Sequence, residues 1–184
     1  MILIISTCKN SLHELEFVRP IESILMENNI SFLTKHYTNI NKSDLTKAEK
    51  IIISGTSLAD NDFLKKENLA KFNWIKTTNK PVLGICAGAE IVGLIFNSQL
   101  KEKKQIGLIN VQFNNDFLSL KKGKHEVYNL HGLYPELNKQ FNVYAQADSC
   151  PQSFKHKIKP IYGVLFHPEV RQKELIVSFS NLKK

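Results

Sequence analysis

Short apolar runs rich in β-branched residues alternate with helical patterns in the first half of the chain. These runs are bounded by turn residues and show no alternation with polar residues, which is typical of strands buried on both faces of a sheet. Between them, apolar residues recur at helical spacing. The pattern predicts strands over Ile2–Ser6, Ser31–Tyr37, Ile51–Ser54 and Pro81–Ile85, with helices over Pro20–Asn28 and Asn68–Thr78.

The start of the first helix has two interpretations. Ser11 and Glu14 have the spacing of a capping box, which predicts a helix that begins near residue 11. Pro20 suits a first helical turn and breaks a helix interior, which favours a start at residue 20. The pattern leaves both starts open.

After residue 100 the chain becomes rich in predicted strands joined by short turns. The strands are Gln105–Asn114, Lys124–Leu130, Phe141–Gln146, Gln152–His156 and Ile161–Phe166, and a closing helix covers Glu169–Ser180. Alternating strands and helices followed by a strand-rich part predict an α/β fold. We expect a mainly parallel open sheet flanked by helices, with an added antiparallel portion, in a single domain over residues 1–184.

The composition excludes several classes of protein. With 184 residues, 42% hydrophobic and 23% charged, the chain is an ordinary globular domain. No apolar run is long enough to span a membrane, and the N-terminal MILIIS is predicted to be a strand and not a signal peptide. The three cysteines, Cys8, Cys86 and Cys150, are too few for a disulfide framework, so we expect a cytoplasmic protein.

The net charge of +8 raises the question of a nucleic-acid partner. The lysines are scattered along the chain and lack the interleaved aromatic residues of single-strand binders, so no nucleic-acid partner is expected. The histidines and cysteines do not have the spacing of a zinc site, and no glycine-rich phosphate loop is present. We therefore expect no metal and no cofactor.

The candidate chemistry begins at Cys86, in the segment PVLGICAGAEIVG. A predicted strand over Val82–Ile85 runs into Cys86, glycines stand two residues before and after it, and a helix is predicted over Ala87–Phe96. This is the pattern of a nucleophile elbow, with cysteine in the place of serine. A thiol at a helix N-terminus has a lowered pKa, which favours the reactive thiolate. The alternative is a small buried cysteine without a chemical role.

A nucleophilic cysteine needs a base, and the base needs an orienting group. His167 follows the predicted strand Ile161–Phe166, and Glu169 stands two residues further on. In a parallel sheet the carboxyl ends of the strands share one edge, so His167 is expected to reach Cys86. Glu169 would then hold the imidazole in one tautomer.

These segments resemble the class I glutamine amidotransferase family. "GICAGAE" (Gly84–Glu90) is similar to the family motif G-x-C-x-G-x-Q, and "YGVLFHPE" (Tyr162–Glu169) to Y-G-x-Q-F-H-P-E. The likeness covers most of the chain. It is strongest to the separate glutaminase subunit of archaeal GMP synthetase, over Phe141–His156 and Lys155–Val170. The resemblance implies a flavodoxin-like architecture and a catalytic triad of Cys86, His167 and Glu169.

The resemblance also implies an oxyanion hole and a substrate pocket. The oxyanion hole would use Ala87 and the turn at Gly55 and Thr56, where the family usually has a second glycine at the position of Thr56. Threonine avoids positive φ, so a turn of different shape is expected there. The family's substrate-binding glutamine is replaced by Glu90. A charged Glu90 would disfavour the Cys86 thiolate. Alternatively, it would favour a substrate with an ammonium group, or its side chain would point aside.

A third segment, His131-Gly132-Leu133, resembles a run in the amidotransferase chain of carbamoyl phosphate synthetase whose backbone holds glutamine. The glutaminase of GMP synthetase instead carries a serine–histidine followed by lysine and aspartate. Leu130 replaces that serine and the lysine–aspartate pair is absent. We interpret residues 131–133 as candidate substrate-binding residues, with His131 also open to a structural role.

Three functions follow from these observations. The first is a glutaminase that forms a glutamyl thioester on Cys86 and supplies ammonia to a partner synthetase subunit, for which the ATP-pyrophosphatase subunit of GMP synthetase is a candidate. The second is a free-standing hydrolase of γ-glutamyl compounds, which Glu90 would suit. The third is a non-catalytic regulatory protein on the same scaffold, which the intact triad disfavours.

Overall fold

The computed structural model describes residues 1–183 and places its nine strands in one sheet, in the order β2-β1-β3-β4-β9-β8-β7-β5-β6. The strands are β1 (Ile2–Ser6), β2 (Phe32–His36), β3 (Lys50–Ile53), β4 (Val82–Ile85), β5 (Gln99–Phe113), β6 (Gly123–Glu136), β7 (Phe141–Ala147), β8 (Cys150–His156) and β9 (Ile161–Val164). The helices are α1 (Glu14–Phe17), α2 (Arg19–Glu27), α3 (Lys42–Lys47), α4 (Lys66–Leu69), α5 (Ala87–Ile95) and α6 (Lys173–Ser180).

The sheet has a parallel half and an antiparallel half. Strands β2, β1, β3, β4 and β9 pair in parallel, whereas β8, β7, β5 and β6 continue the sheet through antiparallel pairs. This confirms the α/β class with an added antiparallel portion. Helices cover both faces of the parallel half, which is why β1, β3, β4 and β9 are largely apolar runs, whereas the edge strand β2 is half-buried and carries Thr34, Lys35 and His36.

The hydrophobic core therefore forms two layers. On one face, Ile4 and Ile52 pack in the same cluster as Ile21 of α2 and Phe179 of α6. On the other face, the alternate side chains of the same strands pack with α5 and with the segment that precedes β4. Successive residues of a strand point to opposite faces, so each parallel strand contributes to both layers.

The largest difference from the predicted elements is the length of β5 and β6. The sequence predicts strands over Gln105–Asn114 and Lys124–Leu130, but the structure extends both and pairs them from Gln99↔Glu136 to Phe113↔Gly123. The first residues of β5 are polar and largely exposed, so they lack the apolar signal of a strand. This long hairpin brings the middle of β6 to the carboxyl end of β9.

The helices differ from the predictions at their ends. The helix predicted over Asn68–Thr78 is α4 followed by a 3₁₀ helix over Ala70–Lys76. The closing helix starts at Lys173 and not at Glu169, because a turn closes from His167 to Val170 (O···N 3.2 Å). Both proposed starts of the first helix are partly right, since Pro20 lies in the first turn of α2 and a separate helical segment precedes it. The cap of that segment is Asn10 and not Ser11.

Candidate active site

Cys86 lies in the tight turn that joins β4 to α5. Its backbone has φ 50° and ψ −108°, a conformation that non-glycine residues rarely adopt and that is typical of strained functional positions. The two flanking glycines make the turn possible. A Cβ on Gly84 would lie 2.4 Å from the Gly88 carbonyl oxygen, and a Cβ on Gly88 would lie 2.3 Å from the Ile53 carbonyl oxygen. The close packing of strand, turn and helix therefore requires glycine at both positions.

The pairing of β4 with β9 brings His167 to the same edge of the sheet. These strands are parallel, with Ile85 opposite Val164, and the Cys86 N–H donates to the Val164 carbonyl oxygen at 2.8 Å. His167 follows three residues later and is buried. Its Nδ1 lies 2.6 Å from Oε1 of the buried Glu169, which fixes the ring, and the ring also interacts with the Cys86 side chain.

Strand β6 positions both Cys86 and His167 through its backbone. The Tyr128 carbonyl oxygen accepts a hydrogen bond from the His167 N–H at 2.8 Å. The Leu130 carbonyl oxygen accepts from the Cys86 thiol, with a distance of 3.4 Å from Sγ. Residues two apart on a strand present their carbonyls to the same side, so one strand holds both groups. The sequence motifs give no indication of this contribution, because it uses backbone atoms of a strand far away in the chain.

The electrostatics of the pair stabilise the imidazolium form of His167, the form that results when the ring takes a proton. Burial raises the pKa of the Cys86 thiol, and His167 opposes this shift. Burial disfavours the imidazolium form of His167, but the charges of Glu169 and Cys86 outweigh it and raise the pKa of His167 well above its usual value. Glu169 thus stabilises the cation that forms when His167 takes a proton.

Two backbone N–H groups at the cavity, those of Ala87 and Thr56, are candidates for the predicted oxyanion hole. Ala87 is the first residue of α5, so its N–H has no partner within the helix. Thr56 follows Gly55 in the turn after β3, and both Ala87 and Thr56 line the same cavity as Cys86. Within residues 1–183, no hydrogen bond uses either N–H. Thr56 does not have positive φ, so the expected penalty for threonine in this turn does not arise.

Gly55 also packs directly against the side chains of His167 and Cys86. A Cβ at this position would lie 2.7 Å from Cε1 of His167 and 3.3 Å from Cβ of Cys86. We expect Gly55→Ala to displace the imidazole and to lower kcat by about 100-fold, since misplacement of a catalytic group by about 1 Å has effects of that order. Steady-state kinetics together with a thermal melt measure this effect.

Gly93→Ala is the control that separates the effect of an added methyl group on stability from its effect on the position of His167. Its Cβ would lie 2.4 Å from Cβ of Pro135, at the far end of α5 from Cys86. We expect this variant to lower the melting temperature while the folded fraction keeps its kcat. A Gly55→Ala variant with unchanged kcat would contradict the assigned position of His167.

A cavity of about 650 Å³ opens in front of Cys86. The predicted site residues that line it are Thr56, Cys86, Ala87, Glu90, His131, Gly132 and Leu133. His167, Glu169 and Gly55 are packed around Cys86 and do not line the cavity. The structure therefore brings all the predicted site residues together. Seven of them line the cavity, and the other three pack around Cys86.

Glu90 faces this cavity from the first turn of α5 and does not point aside. The side chain is buried, and no hydrogen bond or ion pair to it occurs within residues 1–183. Burial raises the pKa of its carboxyl to about 8. Glu90 is therefore mainly a neutral carboxylic acid at pH 7, and one consequence is that the thiolate of Cys86 has no negative neighbour there.

His131 belongs to a buried polar network that the sequence motifs do not reveal. Its Nε2 lies 3.1 Å from Oε1 of Gln105, which also accepts from Asn129 (3.2 Å) and Gln152 (2.9 Å). Burial lowers the pKa of His131 to about 4, so the ring is neutral. The network joins β5, β6 and β8 and fixes the stretch of β6 that faces the cavity. The only signal in the sequence is a set of polar residues within predicted strands.

The part of the chain that the structure describes, residues 1–183, contains no group of three or more His, Cys, Asp or Glu side chains placed to hold a metal ion. None of its helices is long and apolar enough to cross a membrane. All three cysteines are free and buried. A nucleophile type, a base and an orienting carboxylate, which acyl transfer through a thioester needs, stand together in Cys86, His167 and Glu169.

Comparison with known proteins defines the class. The model of the family "Glutamine amidotransferase class-I" matches residues 8–179. The chain therefore belongs to the class-I glutamine amidotransferase family, as the resemblance of the Cys86 and His167 segments predicts.

One curated relative and two solved structures show which members of the family the chain is similar to. The glutamine-hydrolyzing GMP synthase subunit of Pyrococcus furiosus is 30% identical over 143 residues, which cover 74% of each chain. A crystal structure from Thermoplasma acidophilum, described as that of a GMP synthase subunit, superposes with a TM-score of 0.84 at 22% identity, covering 97% of this chain and 91% of the other. A glutamine amidotransferase from Thermotoga maritima superposes with a TM-score of 0.70 at 18% identity, covering 98% and 83%. The two structural matches support the fold.

Proposed function

We propose that the chain hydrolyses the side-chain amide of glutamine through Cys86, His167 and Glu169. The Cys86 sulfur attacks the amide carbon, and the N–H groups of Ala87 and Thr56 hold the oxyanion that forms. His167 takes the thiol proton and passes it to the departing nitrogen, which leaves as ammonia. Water, deprotonated by His167, then cleaves the glutamyl thioester and releases glutamate.

The observation that carries this proposal is the buried His167–Glu169 pair beside a cysteine in a strained elbow. A cysteine in a hydrophobic core does not need φ 50°, two obligatory glycines or a charged partner. Burial of a charged histidine is also costly unless a partner such as Glu169 compensates the charge. The same features weigh against a non-catalytic regulatory role.

Glu90 supports glutamine as the substrate. A neutral carboxyl offers an O–H donor and an acceptor oxygen, and a carboxamide side chain likewise offers an acceptor oxygen beside a donor group, its NH₂. Glu90 in this form can hydrogen-bond a polar, uncharged substrate group without placing a negative charge beside the Cys86 thiolate. The family's glutamine at this position is thus replaced by a side chain of the same shape and, at pH 7, the same charge.

We expect Glu90→Gln to keep glutamine hydrolysis at pH 7 within about threefold of wild type and to remove an alkaline loss of activity. The neutral form of Glu90 prevails below its pKa of about 8 and the anion above it. Wild-type kcat/KM should therefore fall relative to the variant as pH rises through 8, by up to about tenfold per pH unit. The measurement is the ratio of the two pH profiles.

A second readout does not depend on turnover. Because burial raises the pKa of Glu90 from 4.5, the folded state holds a proton that the unfolded state loses, and stability falls as pH rises from 4.5 to about 8. Glu90→Gln lacks this group, so its melting temperature relative to wild type should rise across that window. A neutral Glu90 would be contradicted if the wild type and Glu90→Gln had the same pH dependence, both in kcat/KM and in melting temperature.

The partner in this proposal is a synthetase subunit that consumes the ammonia, and GMP synthase is the candidate. The matched relatives are named as one subunit of that enzyme, which implies a second subunit. Exposed apolar side chains also lie on three segments next to the site. Leu12 and Leu15 precede Phe17, whose ring packs on His167. Leu58 lines the cavity, and Val170 follows Glu169. Such side chains suit a protein interface.

Transfer of ammonia is tested with glutamine labelled with ¹⁵N in its amide, added to the chain and a GMP synthase ATP-pyrophosphatase subunit with its substrates. Labelled GMP in the presence of a large excess of unlabelled ammonium would support direct delivery. Glutamate release that is the same with and without the ATP-pyrophosphatase, together with unlabelled GMP, would favour the second candidate, a free-standing hydrolase of γ-glutamyl compounds.

A further inference from the structure

The turn after β3 carries one half of the oxyanion hole, and its backbone is held from one side by the loop after β1. The Gly55 carbonyl oxygen accepts hydrogen bonds from Oγ1 of Thr7 at 3.2 Å and from Oγ of Ser54 at 2.9 Å. The carbonyl and the N–H of one trans peptide point in opposite directions. With the Gly55 carbonyl directed to Thr7, the Thr56 N–H of the same peptide points the other way.

The other side of this peptide is held by Asp60. Oδ2 of Asp60 accepts a hydrogen bond from the Thr56 hydroxyl at 2.8 Å, and it also accepts from the Lys9 N–H at 3.0 Å and lies 2.7 Å from Nδ1 of His13. One carboxylate oxygen thus joins the turn after β3, the loop after β1 and the helical segment before α1. The peptide between Gly55 and Thr56 is fixed at both ends.

Asp60 is well suited to hold this position. The Asp60 side chain is only 6% exposed and lies at the wall of the cavity, next to the turn. Burial would raise the pKa of its carboxyl, but the hydrogen bonds from its three donors outweigh burial and lower the pKa. Asp60 is therefore a carboxylate at neutral pH, and hydrogen bonds to a buried charge are stronger than those between neutral groups.

We propose that Asp60 is a positioning residue which, through the hydroxyl of Thr56, orients the Thr56 N–H toward the oxyanion that forms at Cys86. This inference rests on the proposed hydrolysis of glutamine. It assigns a role to the threonine that replaces the family's second glycine, since a glycine has no hydroxyl with which to bind Asp60. Preorganised donors of this kind act in the transition state and contribute little to binding of the ground state.

The test is a set of conservative variants measured on glutamine. Thr56→Val keeps the shape of the side chain and removes the hydroxyl, and we expect kcat to fall about tenfold with KM within about twofold of wild type. Thr56→Ser restores the hydroxyl and should restore kcat to within about threefold. Thr46→Val is the control, since Thr46 lies on the exposed face of α3 and its hydroxyl donates to the Lys42 carbonyl oxygen of the same helix.

A double-mutant cycle distinguishes positioning from general destabilisation. Asp60→Asn should also lower kcat, and the double variant with Thr56→Val should be no slower than the slower single variant, because both act through one hydrogen bond. The proposal would be overturned if the loss of kcat in the double variant equalled the product of the losses in the two single variants. It would also be overturned if Thr56→Val kept the wild-type kcat. A Thr56→Ser variant as slow as Thr56→Val would overturn it as well.

An NMR measurement separates failure of this inference from failure of the proposed function. The Thr56 amide should be rigid in wild type, with an order parameter of about 0.85, and should become mobile or exchange-broadened in Thr56→Val and Asp60→Asn. If wild type does not hydrolyse glutamine, the proposed function fails and this measurement alone decides the role of Asp60. An amide that is equally rigid in all three proteins would overturn the role.

Discussion

Replacement of Cys86 by alanine is expected to abolish glutamate release from glutamine, with a loss of at least about 10⁴-fold in kcat. The sulfur forms the covalent bond in the proposed mechanism, and no other cysteine of the described residues lines the cavity. Removal of a nucleophile leaves only the activity that binding and the oxyanion donors can supply. Glutamate production, measured under saturating glutamine, gives the result directly.

Cys150→Ala is the matched control for this variant. Cys150 is also free and buried, but burial raises the pKa of its thiol to about 12, and it lies at the start of β8. We expect Cys150→Ala to keep kcat within about threefold of wild type. A Cys86→Ala protein that still releases glutamate at more than about 1% of the wild-type rate would show that another group attacks the amide.

Replacement of Glu169 by glutamine is expected to lower kcat by about 10³–10⁴-fold. Glu169 accepts the hydrogen bond from Nδ1 of His167, which leaves Nε2 free to take the thiol proton. A glutamine amide can instead donate to Nδ1, which places the ring proton on Nε2, where the base must be unprotonated. Loss of the carboxylate also removes the charge that raises the pKa of His167.

The pH profile gives the second part of this prediction. In Glu169→Gln the pKa of His167 should fall, so the pH dependence of the residual activity should shift to lower pH. Glu136→Gln serves as the control, since Glu136 is exposed and pairs only loosely with Lys101, at 3.6 Å. An unchanged pH profile with unchanged kcat in Glu169→Gln would remove Glu169 from the mechanism.

The parallel half of the fold can be predicted from the sequence because burial on both faces leaves a largely apolar run in each of its inner strands, β1, β3, β4 and β9. The antiparallel half is less well determined by pattern. The first residues of β5 are polar and exposed, and only their pairing with β6 makes them a strand. The sequence pattern starts the closing helix four residues too early because Glu169, a good helix former, is instead held by its hydrogen bond to His167.

The candidate site also has a part that the sequence predicts and a part that it does not. Cys86, His167 and Glu169 stand out in sequence because a strained turn and an ion pair need particular side chains. The contributions of Tyr128 and Leu130 are backbone carbonyls, which place no demand on residue type and leave no motif. The state of Glu90 also depends on burial in the folded chain, so its sequence position alone allows a charged, a neutral or an uninvolved side chain.

Glutamine hydrolysis at this site is tested most simply by the rate of glutamate release from glutamine by the purified chain, beside Cys86→Ala. The rate is measured with and without a GMP synthase ATP-pyrophosphatase subunit carrying its substrates. We predict glutamate release that requires Cys86 and that increases when the ATP-pyrophosphatase is present. A folded chain that releases no glutamate under either condition would contradict the assignment of this site to glutamine hydrolysis.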